Sequence, residues 1–133
     1  MDFVTFETAK KLKEKGYPQV KQNTLAMYDE LGRWYSMAEA IDEAYSFEDF
    51  DEYDCVCPTI SQVLKWLREE KEMYIVIQPF PTLVTKNKIC WGWTFKGNSD
   101  GVYIDHTFPD DVNYATYEQA AIAGIEYVLN NLI

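Results

Sequence analysis

The sequence predicts a single α+β domain over residues 1–133, with an antiparallel sheet of three to five strands and helices mainly on one face. Three observations carry that expectation. Thr59-Ile60-Ser61-Gln62 and Thr116-Tyr117-Glu118-Gln119 are capping boxes, and apolar residues follow each at helical spacing. Residues 89–96 alternate with period two: Ile89, Trp91, Trp93 and Phe95 on one side, Cys90, Gly92, Thr94 and Lys96 on the other. A chain of 133 residues, 47% hydrophobic and 16% aromatic, can bury a core without staples.

Residues 5–16 read as a first helix. Thr5 caps it, Phe6, Ala9 and Lys13 share a side, and Gly16 followed by Pro18 ends it. Residues 25–29 and 33–36 pair as a hairpin around Glu30-Leu31-Gly32. Ser36-Met37-Ala38-Glu39 resembles a capping box for a short helix through Tyr45, and a loop is expected beyond Ser46. The helix opened by Thr59 runs to about Glu72, with Ile60, Val63, Leu64 and Leu67 toward the core and Trp66 on its flank. Residues 73–80 are rich in β-formers and are halted by Pro79 and Pro81. Gly97-Asn98-Ser99-Asp100-Gly101 reads as a turn, after which residues 102–107 return as a partner strand. The last helix presents Tyr117, Ala120, Ala121, Gly124, Ile125, Val128 and Leu132 on one face. Gly124, at the centre of that face, lets the helix lie close on a sheet.

The net charge of −10 is unevenly placed. Between Trp34 and Leu64 there are eight carboxylates and no Lys or Arg, whereas the rest of the chain has fourteen acids against twelve bases. Phosphate affinity comes from cations, so direct binding to nucleic acid or to an anionic membrane is disfavoured and a basic protein partner is favoured. The order helix–three strands–helix from Thr59 onward is also that of double-stranded-RNA-binding domains. The last helix here opens with Tyr114-Ala115-Thr116-Tyr117-Glu118-Gln119, which lacks the lysines those domains place there. No run approaches the roughly 18 apolar residues of a membrane span, and Met1-Asp2-Phe3-Val4-Thr5 is not the start of an export signal. The expected address is the cytoplasm, in keeping with three cysteines, an odd number.

No catalytic or cofactor motif stands out, and no cofactor or metal is expected. Asp49-Phe50-Asp51-Glu52-Tyr53-Asp54 fails the EF-hand template, because Asp54 and Ile60 stand where Gly and Glu are required. Cys55, Cys57, Cys90 and His106 have the count of a zinc set but not its spacing. His106, the single histidine, alternates in register with Val102, Ile104 and Phe108 and has no nucleophile motif beside it. Trp91, Trp93 and Phe95 make either a stacking platform or the core under the last helix, and the core reading is preferred.

Trp66, with Tyr45, Phe50 and Tyr53 among Glu48, Asp49, Asp51 and Glu52, gives the aromatic-plus-acidic mixture of protein contact sites. Two functional readings follow. The first is a non-enzymatic interaction or regulatory protein that uses this surface. The second is a small-ligand binder or enzyme built around His106 with neighbouring aromatics and carboxylates. Nothing in the sequence sets the oligomeric state.

At Pro58-Thr59, Lys65-Trp66-Leu67-Arg68-Glu69 and Tyr74-Ile75-Val76-Ile77, the chain resembles small uncharacterised proteins of Bacteroides-type gut bacteria and their phages or prophages. Those proteins also tend to open with a Thr-Phe-Glu-x-Ala helix, like Thr5 to Ala9, and to close with a Thr-Tyr-Glu-x-Ala helix, like Thr116 to Ala120. The likeness spans the ends and the middle but not the acidic window. It implies a mobile-element or phage origin and a non-secreted product, and it brings no established activity or catalytic residue.

Overall fold

A computed structural model of the chain describes residues 2–19, 25–36, 53–81, 89–99, 102–106 and 114–133. The described residues form helices α1 (Phe6–Glu14), α2 (Ile60–Glu70) and α3 (Tyr117–Asn131). The strands are β1 (Ala26–Asp29), β2 (Trp34–Ser36), β3 (Tyr53–Val56), β4 (Met73–Pro81), β5 (Ile89–Ser99) and β6 (Val102–His106). The α+β class and the antiparallel pairing are as expected. The strands, however, are shared between two three-stranded sheets, β2-β1-β3 and β4-β5-β6, in two compact units, residues 1–59 and 60–133.

In the first unit the ends of α1 are set by local chemistry. The Thr5 hydroxyl accepts the Thr8 N–H at 3.3 Å. At the other end Gly16, at φ +95°, donates to Lys13 C=O, and Tyr17 N–H reaches Leu12 C=O. That pair of bonds is a Schellman closure, which a glycine adopts without Cβ strain. The buried face is Thr8, Ala9 and Leu12, not the Phe6–Ala9–Lys13 side. Phe6 is half-buried and Lys13 is exposed, since a lysine ammonium stays hydrated unless it is paired.

The hairpin forms as expected, with Tyr28 opposite Trp34 and Ala26 opposite Ser36. Strand β3 is a correction, because residues beyond Ser46 were expected to be a loop. Acidic composition hid a strand whose register places Cys55 opposite Tyr28 and Val56 opposite Met27. The register skips Asp54, a bulge between Tyr28 and Asp29. Past β3, Cys57 N–H bonds Ala26 C=O, Val4 N–H bonds Pro58 C=O, and Phe3 bridges Thr59. The helix expected from Ser36 to Tyr45 lies outside the described residues apart from Ser36, which ends β2.

The second unit is a β4–β5–β6 meander with α2 and α3. Strand β5 runs on through Gly97, Asn98 and Ser99, with Ser99 opposite Val102 of β6. The expected five-residue turn is therefore mostly strand. The Thr116 hydroxyl accepts Gln119 N–H at 3.1 Å and the Gln119 side chain accepts Ala115 N–H, a capping box displaced by one residue. Ala120, Ala121, Gly124, Ile125, Val128 and Leu129 are the buried residues of α3, and Tyr117 is exposed.

The row predicted from alternation meets this helix. Trp93 and Phe95 are buried, and the Tyr127 ring lies 5.1 and 5.8 Å from theirs. Trp91 is half-buried, edge-on to Tyr117 at 5.6 Å, so the core reading holds fully only for Trp93 and Phe95. A Cβ added at Gly124 would lie 3.0 Å from Ile75 Cγ2 and 3.2 Å from the Trp93 ring. The helix therefore approaches as near as a missing side chain allows.

Two stability changes test this packing. Trp93→Ala should cost about 3–5 kcal/mol, the range for large-to-small core changes. Gly124→Ala should destabilise by about 1 kcal/mol despite alanine's better helix propensity, because neither a branched isoleucine nor a buried indole yields easily. Urea unfolding with Leu129 and the rest of the face unchanged reads both, and a more stable Gly124→Ala protein would contradict the close approach.

Candidate functional site

The residues singled out in the sequence do not come together as one described surface. Tyr45, Glu48, Asp49, Phe50, Asp51 and Glu52 lie outside the described residues. Tyr53 opens β3 opposite Asp29. Trp66 is not an exposed flank: it is 9% exposed and joins Ile60, Val63 and Leu67 on the buried side of α2, while Leu64 is only half-buried. The Lys71 ammonium lies 5.5 Å from the Trp66 ring, so lysine rather than water covers part of the indole. His106 ends β6 in register with Phe95. Among the described residues no three His, Cys, Asp or Glu side chains gather as a metal-holding group. None of their helices is long and apolar enough to cross a membrane.

What the structure does present is the β1–β2 hairpin. Its turn is built by Asp29. One carboxylate oxygen accepts the N–H groups of Leu31 and Arg33, both at 2.9 Å, and the other accepts Arg33 Nε at 2.6 Å. Gly32 N–H returns to Asp29 C=O with Gly32 at φ +82°, the left-handed step of a three-residue hairpin loop. The Phe6 ring packs where a Gly32 side chain would stand, 2.6 Å from its ideal Cβ, so any other residue is excluded twice over. Burial alone would raise the Asp29 carboxyl; the Arg33 N–H and guanidinium, with the Leu31 N–H, outweigh it and hold it below its ordinary value.

This rigid turn carries apolar side chains into water. Leu31 is 72% exposed and Trp34 is 42% exposed, with Leu25 also exposed near the start of β1. Sequence reasoning missed them. The available signal was a leucine at the tip of a loop, where polar residues are the rule.

Beneath Trp34 lie half-buried aromatic rings. Its indole packs edge-on against Phe3 at 5.3 Å, and Phe6 lies 5.3 Å from Tyr28. The Tyr28 hydroxyl donates to Val4 C=O at 2.7 Å, and the buried Cys57 thiol lies 3.5 Å from the same oxygen. Burial pushes the Cys57 thiol from 9.0 up to about 11, against the opposing hydrogen bonds of Tyr28 and Trp34. Burial also raises the Tyr28 phenol, and Cys57 and Cys55 add to that. Both groups are therefore held neutral, which suits packing and not nucleophilic chemistry.

The hairpin also bounds the acidic segment. Ser36, which precedes it, lies beside Ala26; Tyr53, which follows it, lies beside Asp29 at the opposite end of β1. Ser36 and Tyr53 therefore stand at opposite ends of one sheet, on either side of β1. Arg33, the last base before Lys65, pairs with Asp29 through its Nε.

No protein-family model matches this chain, and neither a curated protein nor a solved structure shows significant similarity to it.

The neutral thiol and phenol predict alkaline sensitivity. Between pH 9.0 and about 11 the unfolded chain releases the Cys57 proton while the folded chain keeps it. Stability is therefore full below that window and falls as pH rises through it. Cys57→Ala should flatten this fall in denaturant titrations taken across the window. Iodoacetamide should modify half-buried Cys90 in the native protein and reach Cys55 and Cys57 only on unfolding, as read by mass spectrometry.

Proposed function

We propose that this is a non-enzymatic interaction protein that binds a basic protein partner with the β1–β2 hairpin as its anchor and the acidic segment as its electrostatic guide. The observation that carries the reading is the exposed pair Leu31 and Trp34 on a turn fixed by Asp29. Apolar side chains held rigidly in water lose little entropy on docking, and aromatic anchors supply most interface energy. The carboxylates that follow β2 in the chain supply long-range attraction to cations, which acts mainly on encounter rate. Nucleic acid does not suit that charge. We place the activity in the cytoplasm, where Cys55, Cys57 and Cys90 remain thiols. A phage- or prophage-encoded product acting on a host or phage protein fits this reading and the likeness to gut-bacterial proteins.

The test is binding of a synthetic peptide of alternating arginine and leucine, followed by stopped flow at low and physiological salt. Replacing Glu48, Asp49, Asp51 and Glu52 by their amides should leave the fold intact. It should slow association roughly tenfold at low salt and flatten the salt dependence. Leu31→Ser should instead speed dissociation at every salt concentration. An unchanged association rate in the quadruple variant would reduce the acidic run to a solubilising segment. An unchanged dissociation rate in Leu31→Ser would remove the hairpin from the interface.

A further inference from the structure

The second unit holds an edge that the hairpin reading does not use. Strand β4 is the first strand of the β4-β5-β6 order and has one neighbour among the described strands. Its run Met73-Tyr74-Ile75-Val76-Ile77-Gln78 contains no charge, whereas β6, at the other edge, includes Asp105 within five residues. Edge strands are usually blunted by charge, because a bare, β-prone edge is a template for another strand. Here only Pro79 and Pro81, which lack an N–H, blunt one end of β4.

Burial along β4 shows that its flank is open. Tyr74 is 49% and Val76 42% exposed on one face of the sheet. Ile75 and Ile77 lie on the helix-covered face yet are only half-buried, while their register partners Phe95 and Trp93 are buried. The last helix, α3, packs on both strands, so the difference comes from the outer side of β4, where apolar surface remains exposed.

We propose that a second copy of this chain occupies that edge, pairing antiparallel about a two-fold axis at Val76 to make one six-stranded sheet. The strand is complementary to itself in this register. Val76 meets Val76 of the partner subunit, with Tyr74 opposite the partner's Gln78 on the same face and Ile75 opposite the partner's Ile77 on the helix side. Charge favours the same arrangement. It sets the end of β4 that adjoins Glu72 and Lys96 against the uncharged Gln78–Pro79 end of the other copy, where parallel pairing would put Glu72 beside its equivalent. Two chains of charge −10 repel. Contact is therefore confined to an uncharged strip and strengthens with salt, the reverse of binding a basic partner.

Sedimentation velocity with light scattering, over a concentration series at low and high salt, tests this. The expected result is a monomer–dimer equilibrium shifted to dimer by salt. Val76→Lys and Val76→Glu should each abolish the dimer, since each sets like charges face to face on the axis, while thermal melts stay cooperative because this side chain is exposed. An equimolar mixture of the two should restore it as a heterodimer. Tyr74→Lys, facing a neutral glutamine, should still dimerise. A wild-type chain that stays monomeric at every concentration overturns the proposal and leaves the edge to a strand of another protein. Dimers that survive Val76→Lys, or a mixture that stays monomeric, overturn the two-fold register at Val76.

Discussion

The carbonyl of Val4 receives two donors from two strands, the Tyr28 hydroxyl of β1 at 2.7 Å and the Cys57 thiol just beyond β3 at 3.5 Å. Val4 is itself buried, and its N–H is taken by Pro58. One residue thus ties the lead-in of α1 to the sheet through both its N–H and its C=O. The packing beneath the hairpin rests on that anchorage. Phe3 is held where it can support Trp34, Phe6 is held where it can pack on Gly32 and Tyr28, and Asp29 fixes the turn above them. A buried carbonyl with two donors has no free lone pair to satisfy elsewhere, so the arrangement tolerates little sliding.

The second unit solves the same problem with shape. Its core depends on how near α3 can come to β4 and β5, and Gly124 sets that distance against Ile75 and Trp93. Gly97 does similar work at the turn into β4: a Cβ there would stand 2.6 Å from the Met73 sulfur and 2.7 Å from the Glu72 carbonyl oxygen. Glu72 itself adopts φ +55°, a left-handed step that usually falls to glycine or asparagine and that reverses the chain between α2 and β4. The first unit is organised by directional polar contacts, and the second by close packing of aromatics under a smooth helix face.

Where local chemistry decides, the sequence was readable. Thr5 and Thr116 cap helices, Gly16 ends one, Glu30-Leu31-Gly32 reverses the chain, and the Trp93–Phe95 alternation faces a helix. Where tertiary context decides, it was not. Strand β3 was hidden because carboxylates in its approach mimic a solvated loop, although Cys55 and Val56 are both buried. On α2, period 3.6 allows either Leu64 or Trp66 beside the Ile60–Val63–Leu67 stripe, and the larger side chain is the buried one. The exposed leucine at the hairpin tip breaks the usual polarity of turns, and such exceptions tend to mark function.

The Phe3–Thr59 bridge joins positions at opposite ends of the first unit's sequence. By loop-closure scaling, bringing such distant residues together costs roughly 2–3 kcal/mol more than closing a three-residue turn. The hairpin closes through local contacts alone, but the Val4 anchorage that steadies it cannot engage until Pro58 and Thr59 have arrived. In synthesis from the N-terminus, the first few residues wait for the last few of the unit. The local contacts of the hairpin and the long-range contacts that steady it are thus separated in time, and the turn stiffens only when the chain has closed behind it.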